Sequence, residues 1–228
     1  MDFLAGETIL VDKPLGWTSF DAVNKIRWNL KQALKVKKIK VGHAGTLDPL
    51  ATGLLVICTG KNTKLIEGFT NATKTYTGTF LLGKTTPSFD LETEYNQTFE
   101  TSHITPELME DVRKSFLGEQ LQTPPIFSAK LIDGKRAYDL ARAGKEVEMK
   151  RNLVTIERFE IKTERFPEID FEITCSKGTY IRSIASDFGQ KLNAGATLIA
   201  LRRMQSGEFF IENSKTVEEW IKFLDESL

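Results

Sequence analysis

The sequence predicts an α+β fold, a mixed and mainly antiparallel sheet flanked by helices. Three observations carry this. Apolar and polar residues alternate over short segments, as in strands with one face on a core. Segments striped at helical spacing fall irregularly among them, unlike the regular strand–helix alternation of a doubly wound parallel sheet. No Gly-rich phosphate loop of the Walker or Rossmann type is present.

In chain order, Ile9-Leu10-Val11 is a short strand closed by Asp12-Lys13-Pro14-Leu15-Gly16. Thr18 or Ser19 can cap a helix with Val23, Ile26, Leu30 and Leu34 on its apolar face. Leu54 to Cys58 is an apolar run that reads as a buried strand. Lys74 to Leu82 is β-rich, with Tyr76, Phe80 and Leu82 on one face and threonines on the other. Thr105-Pro106-Glu107 opens a helix with proline at its first position; Leu108, Val112 and Phe116 stripe it, and Gly118 ends it. From Glu168 to Cys175 the alternation is that of a half-buried strand. Thr179 can cap a helix carrying Ile181, Ile184, Ala185, Phe188 and Leu192. Thr216 and Glu219 stand at capping-box spacing before a last helix striped by Val217, Trp220, Ile221 and Leu224. Residues 124–152, Pro-rich and then basic, read as a protruding insertion that could fold over a polyanion.

Composition bounds the class. The chain has 228 residues, 40% of them apolar and 27% charged, which suits a water-soluble globular protein with an ample core. Cys58 and Cys175 lie in apolar or alternating segments and read as small buried hydrophobes. With His43 and His103 as the only histidines, the usual zinc spacings cannot be assembled. The sequence shows no signal peptide and no apolar run near the ~20 residues that span a bilayer, so a cytoplasmic location is expected. Basic and acidic residues balance at 31 each, but they are segregated. Lys31, Lys35, Lys37, Lys38 and Lys40 crowd one segment, and acidic residues gather between Asp90 and Glu110. This fits either a phosphate-binding face or a solvated helix face.

The stretch Gly42 to Gly53 is the most informative. It holds Asp48 in a Gly/Pro-shaped loop at the entrance to the buried strand, where a carboxylate serves as a nucleophile or base, or as a turn residue bonding its own backbone. Farther on, Gly178 turns the chain and puts Arg182 in a first helical turn, where the macrodipole disfavours a cation. An arginine there is either a surface residue or one with a carboxylate partner, such as Asp48.

These segments resemble the TruB family of tRNA pseudouridine synthases. Gly42 to Gly53 matches the family's G-H-x-G-x-L-D-P-x-A-x-G signature, and Lys74-Thr75-Tyr76 its K-x-Y strand. Pro124 to Ala129 matches P-P-x-Y-S-A except for Phe127, and Gly178 to Ser183 matches G-T-Y-I-R-S throughout. The match runs from Leu10 to Gly207. The resemblance implies the pseudouridine synthase fold and isomerisation of the T-loop uridine conventionally numbered 55, without metal or cofactor. Asp48 resembles the catalytic aspartate, which attacks the base or the sugar, or acts through a glycal. Arg182 resembles its arginine partner, and Tyr76 the aromatic residue that stacks on the target base. His43, Tyr180 and Leu201 match positions that contact RNA or the flipped nucleotide, and Lys13 and Asp90 lie in matched segments as further substrate-binding candidates. The partner is the T arm of tRNA, gripped by the lysine-rich flank and by 124–152 as a thumb; no membrane is involved, and a monomer is expected.

Three departures stand out. The family's L-G-x-x-T-x-T-x-D-x-x-G segment keeps Asp90, but carries Ser88 for a threonine, Thr93 for the glycine, and Pro87 in its middle. Phe127 lacks a hydroxyl. Only one helix follows Arg202-Arg203, so the expectation is a single catalytic domain over 1–228 without the C-terminal PUA-type domain of many members. The rival readings are a non-catalytic tRNA-binding or folding chaperone and a pseudouridine synthase acting on another RNA. A carboxylate glycosidase is more distant, because no second acid is evident.

Overall fold

The apolar run around Leu54 lengthens into a strand, Ala51–Thr59, with eight of its nine residues buried and flanked by neighbours on both edges. That setting explains why the run lacks alternation: both faces are covered. The structure is a computed structural model, and it describes residues 1–128, 131–132, 135–136 and 149–227.

In chain order the first elements are β1 (Thr8–Lys13), α1 (Ser19–Ala33), β2 (Val41–Ala44), β3 (Ala51–Thr59), α2 (Ile66–Asn71) and β4 (Lys74–Leu82). Next come β5 (Lys84–Thr85), β6 (Gln97–Thr98), α3 (Pro106–Lys114), β7 (Gly118–Gln122), β8 (Leu131–Ile132) and β9 (Lys135–Arg136). The remainder are β10 (Asn152–Arg165), β11 (Glu168–Cys175), α4 (Ile181–Lys191), β12 (Ala196–Ser206), β13 (Phe209–Phe210), β14 (Lys215–Thr216) and α5 (Val217–Ser227). The class is α+β: the pairs β1–β14 and β3–β12 are parallel and the other registered pairs antiparallel. The chain divides into two compact units, Met1–Thr77 with Leu201–Leu228, and Gly78–Ala200.

In the first unit the strands run β14-β1-β3-β12, with β2 also on β3 and β13 on β12. α1 begins with a capping box: the Thr18 hydroxyl accepts from Asp21 N–H, and the Asp21 carboxylate accepts from Thr18 N–H. Its Val23, Ile26 and Leu30 join Ile9, Val11, Leu55 and Ile57 in one core, which α5 closes with Val217, Trp220 and Leu224. The Thr216–Glu219 box that opens α5 forms as its spacing predicts.

The second unit orders its strands β4-β11-β10-β7. The predicted alternation of β11 is complete, iBiBiBiB. Its Phe171 stacks on Phe80, ring centroids 4.2 Å apart, within a cluster that includes Phe116, Phe159 and Phe188. Two sequence expectations fail here. Met109, not Leu108, shares the buried stripe of α3 with Val112, because the inward face is phased one residue later. Thr179 does not cap α4: its hydroxyl donates to Ser176 O, and Tyr180 stands at the cap position, where its side chain makes no capping bond to the helix. On β4 the threonine face is not wholly solvated, since Thr79 is buried and donates to Asp170. The proposed 124–152 insertion falls largely outside the described residues; within it, β8 and β9 pair antiparallel.

Candidate active site

Asp48 stands in the six-residue connection between β2 and β3, and the local sequence holds that connection from two sides. On one side, the buried Ser19 hydroxyl at the start of α1 accepts from Leu47 N–H at 2.8 Å and donates to Leu47 O at 3.1 Å. The residue before the carboxylate is thus fixed at both its backbone groups. On the other side, Arg203 on β12, 1% exposed, donates from Nε to Leu54 O at 2.7 Å and from Nη2 to Gly45 O at 3.0 Å. The planar fork of a guanidinium can join two carbonyls in this way, which an ammonium cannot do with the same geometry.

The register explains how a second cation comes close. Lys13 pairs with Gly53 across β1–β3, and Gly53 pairs with Arg203 across β3–β12. A Cβ on Gly53 would lie 2.4 Å from Arg203 O, and its φ is +101°, so glycine is required between the two strands. Lys13 is wholly buried, and its ammonium donates to Pro14 O at 2.9 Å and Trp17 O at 2.5 Å. Burial pulls the Lys13 pKa down to about 8; the Asp48 carboxylate opposes this shift and the Arg203 charge adds to it. Lys13 therefore acts on Asp48 through its field and on the following turn through its hydrogen bonds.

His43, on β2, is held below the usual imidazole range by burial and by the Arg203 charge. Its Nδ1 is buried with no hydrogen-bond partner among the described residues. Tyr76 is half-buried on β4. Leu201 is half-buried and pairs with Ala51, so it is not the core residue that its apolar pattern alone suggests. Lys13, His43, Asp48, Tyr76 and Leu201 all belong to the first unit, and Asp90, Tyr180 and Arg182 to the second.

In that second unit Arg182 is buried, which removes the surface reading. Its Nε lies 3.5 Å from the Asp90 carboxylate, and its Nη1 donates to Phe127 O at 2.7 Å and Ser88 O at 3.4 Å. The Phe127 bond uses the backbone, so the missing tyrosine hydroxyl does not affect it. The altered residues of the 82–93 segment bond each other: Ser88 Oγ and Thr93 Oγ1 are 2.8 Å apart, and Thr93 Oγ1 also accepts from Ser88 N–H at 3.1 Å. Thr86 and Ser88 hydroxyls both donate to Asp90 O. Tyr180 exchanges backbone bonds with the Gln122 amide, at 2.8 and 3.1 Å.

Sequence reasoning missed Ser19 and Arg203 as site residues. A signal for Arg203 existed: adjacent arginines on a strand face opposite ways, so one of Arg202 and Arg203 must point inward. Arg202 is the outward one, bidentate to Asp12 at 3.1 and 2.6 Å.

Comparison with known proteins gives the family. The family model described as TruB family pseudouridylate synthase (N terminal domain) matches residues 31–181. A Parabacteroides distasonis protein named tRNA pseudouridine synthase B is 52% identical over 228 residues, covering 100% of this chain and 97% of its own. A Flavobacterium johnsoniae protein of the same name is 54% identical, covering 93% of each chain. Among solved structures, a Cbf5-Nop10-Gar1 complex matches at TM-score 0.72 and 26% identity over 99% of this chain. A chain of an archaeal box H/ACA sRNP Nop10-Cbf5 complex shares the fold at TM-score 0.68 and 24% identity. This chain spans only 57% and 54% of those two solved chains. With a family model over more than half of its length and relatives of this identity along nearly all of it, the chain belongs to the TruB family of pseudouridylate synthases.

Proposed function

We propose that this enzyme converts the T-loop uridine of tRNA, position 55 by convention, to pseudouridine, with Asp48 as the nucleophile and no cofactor. The observation that carries the reading is the Asp48 connection, pinned by Ser19 and Arg203 on either side of the carboxylate. A carboxylate held in place beforehand loses little freedom when it attacks. The relatives named tRNA pseudouridine synthase B support tRNA as the substrate.

The target uridine leaves its stack, at a cost of a few kcal/mol offset by stacking on Tyr76. Asp48 attacks, the N1–C1′ bond breaks, and the freed uracil turns to present C5. A C5–C1′ bond forms, the C5 proton leaves with help from Tyr76, N1 takes up a proton in its place, and the aspartate is released unchanged. Arg182 keeps the role its motif implies, a cationic partner to the carboxylate. His43 contacts RNA, the part its motif position implies. The exposed lysines 35, 37, 38 and 40 face T-arm phosphates. The test is to incubate the enzyme with unmodified tRNA and map pseudouridine along it. Product at position 55 is expected. Product only elsewhere overturns the T-loop assignment, and no product overturns the function.

A further inference from the structure

Between Asp21 and Asp48 the sequence contains no acidic residue and seven lysines and arginines, from Lys25 to Lys40. Three of the seven, Lys25, Arg27 and Lys31, lie on α1, whose inner face is committed to the core through Ala22, Val23, Ile26 and Leu30. Its outer face carries Trp28, 56% exposed, and Phe20, 61% exposed. Residues at i, i+3, i+4 and i+7 share one helix face, so Asn24, Arg27, Trp28 and Lys31 form a single strip. Beside it lies an open groove of about 630 Å³ lined chiefly by Trp17, Trp28, Lys25, Arg27, Lys31 and Asp21.

Among the described residues that line the groove, the one carboxylate is engaged: Asp21 accepts from Thr18 N–H at 2.9 Å and from the Thr18 hydroxyl at 2.6 Å. Arg27 donates to Asn24, which orients its guanidinium along the strip. The groove therefore presents three cations around an exposed indole, and neither the hydrophobic core nor the chemistry at Asp48 uses that indole. Aromatic rings interleaved with cations are what unpaired nucleotides bind: bases stack on the ring and phosphates meet the charges. In sequence, the lysines that follow the helix extend the positive run to Lys40.

We infer that the outer face of α1 binds an unpaired segment of the substrate RNA, one base stacking on Trp28 and adjacent phosphates held by Lys25, Arg27 and Lys31. This rests on the reading that RNA is the substrate, and it adds a contact separate from the modified loop. The test uses the full chain with two RNA probes, unmodified tRNA and an unstructured 12-nucleotide oligouridylate. Trp28→Ala is expected to weaken binding of both by about 5- to 100-fold. A Lys25→Gln/Arg27→Gln/Lys31→Gln variant should lower the slope of log K against log salt for the oligonucleotide by about 2. Turnover at saturating tRNA stays at the wild-type value in Trp28→Ala, because that indole does not serve the reaction. Affinities and salt slopes equal to wild type would overturn the inference. So would self-association of the wild-type chain that Trp28→Ala abolishes, since the groove would then hold a second copy. RNA binding that depends on Trp28 without any pseudouridine product would defeat the proposed function and leave this inference standing.

Discussion

Replacing Arg203 with methionine keeps an apolar stem of similar reach and removes the guanidinium. Two buried charge-assisted bonds are lost, to Leu54 O and Gly45 O, and both carbonyls are left without that donor. Stranding a buried acceptor costs about 1–3 kcal/mol, so the pair amounts to about 2–6 kcal/mol. Relief from burying a charge offsets part of this and favours the lower half of that range. For a chain of this length each kcal/mol moves Tm by roughly 2–4 °C, so Arg203→Met should melt at least about 5 °C below wild type by calorimetry. The same variant removes a positive charge that depresses His43, so the His43 pKa should rise, as read by NMR of the ring protons. With the connection loosened, kcat should fall by about 100-fold, the scale of a 1 Å misplacement. A variant that melts within about 2 °C of wild type and keeps its kcat would refute the idea that Arg203 fixes the Asp48 connection.

Other expectations follow from the same residues. Lys13 has a folded pKa of about 8 against 10.5 for the ordinary ammonium, so between those pH values the unfolded chain binds more protons and stability rises with pH. Urea unfolding of wild type minus Lys13→Met should therefore show a gain for wild type from pH 8 to 10.5; a flat difference would contradict the buried ammonium. Gly53→Ala places a Cβ 2.4 Å from Arg203 O at a φ of +101°, and should destabilise by more than about 2 kcal/mol in denaturant titration. Ser88→Ala and Thr93→Val should each destabilise, and the double variant should show a coupling of at least about 0.5 kcal/mol, because the two hydroxyls bond each other. Strict additivity would mean that the pair does not brace the loop.

The sequence made the elements legible where one physical signal dominated. The period of two over Glu168–Cys175 predicted β11 residue by residue, and the Thr216–Glu219 spacing predicted the cap of α5. It misled where two residues offered the same signal. Leu108 and Met109 both suit an amphipathic stripe, and only packing chooses the phase. Thr179 has the chemistry of a cap, but its hydroxyl finds Ser176 O first. At the site, the Gly/Pro-shaped loop singled out Asp48 and left its role open, whereas Ser19 and Arg203 act across 28 and 149 residues of sequence separation. Contacts that remote leave no local pattern. The Lys13–Gly53–Arg203 row appears only once strand register is known.

The central claim is that Asp48 is the nucleophile on a bound uridine. It is tested most directly by single-turnover pseudouridine formation on unmodified tRNA, comparing wild type with Asp48→Asn at RNA concentrations that saturate both. The expected result is product at position 55 with wild type and none with Asp48→Asn, while the two bind tRNA with equal affinity. Wild-type product formation by Asp48→Asn would contradict the claim.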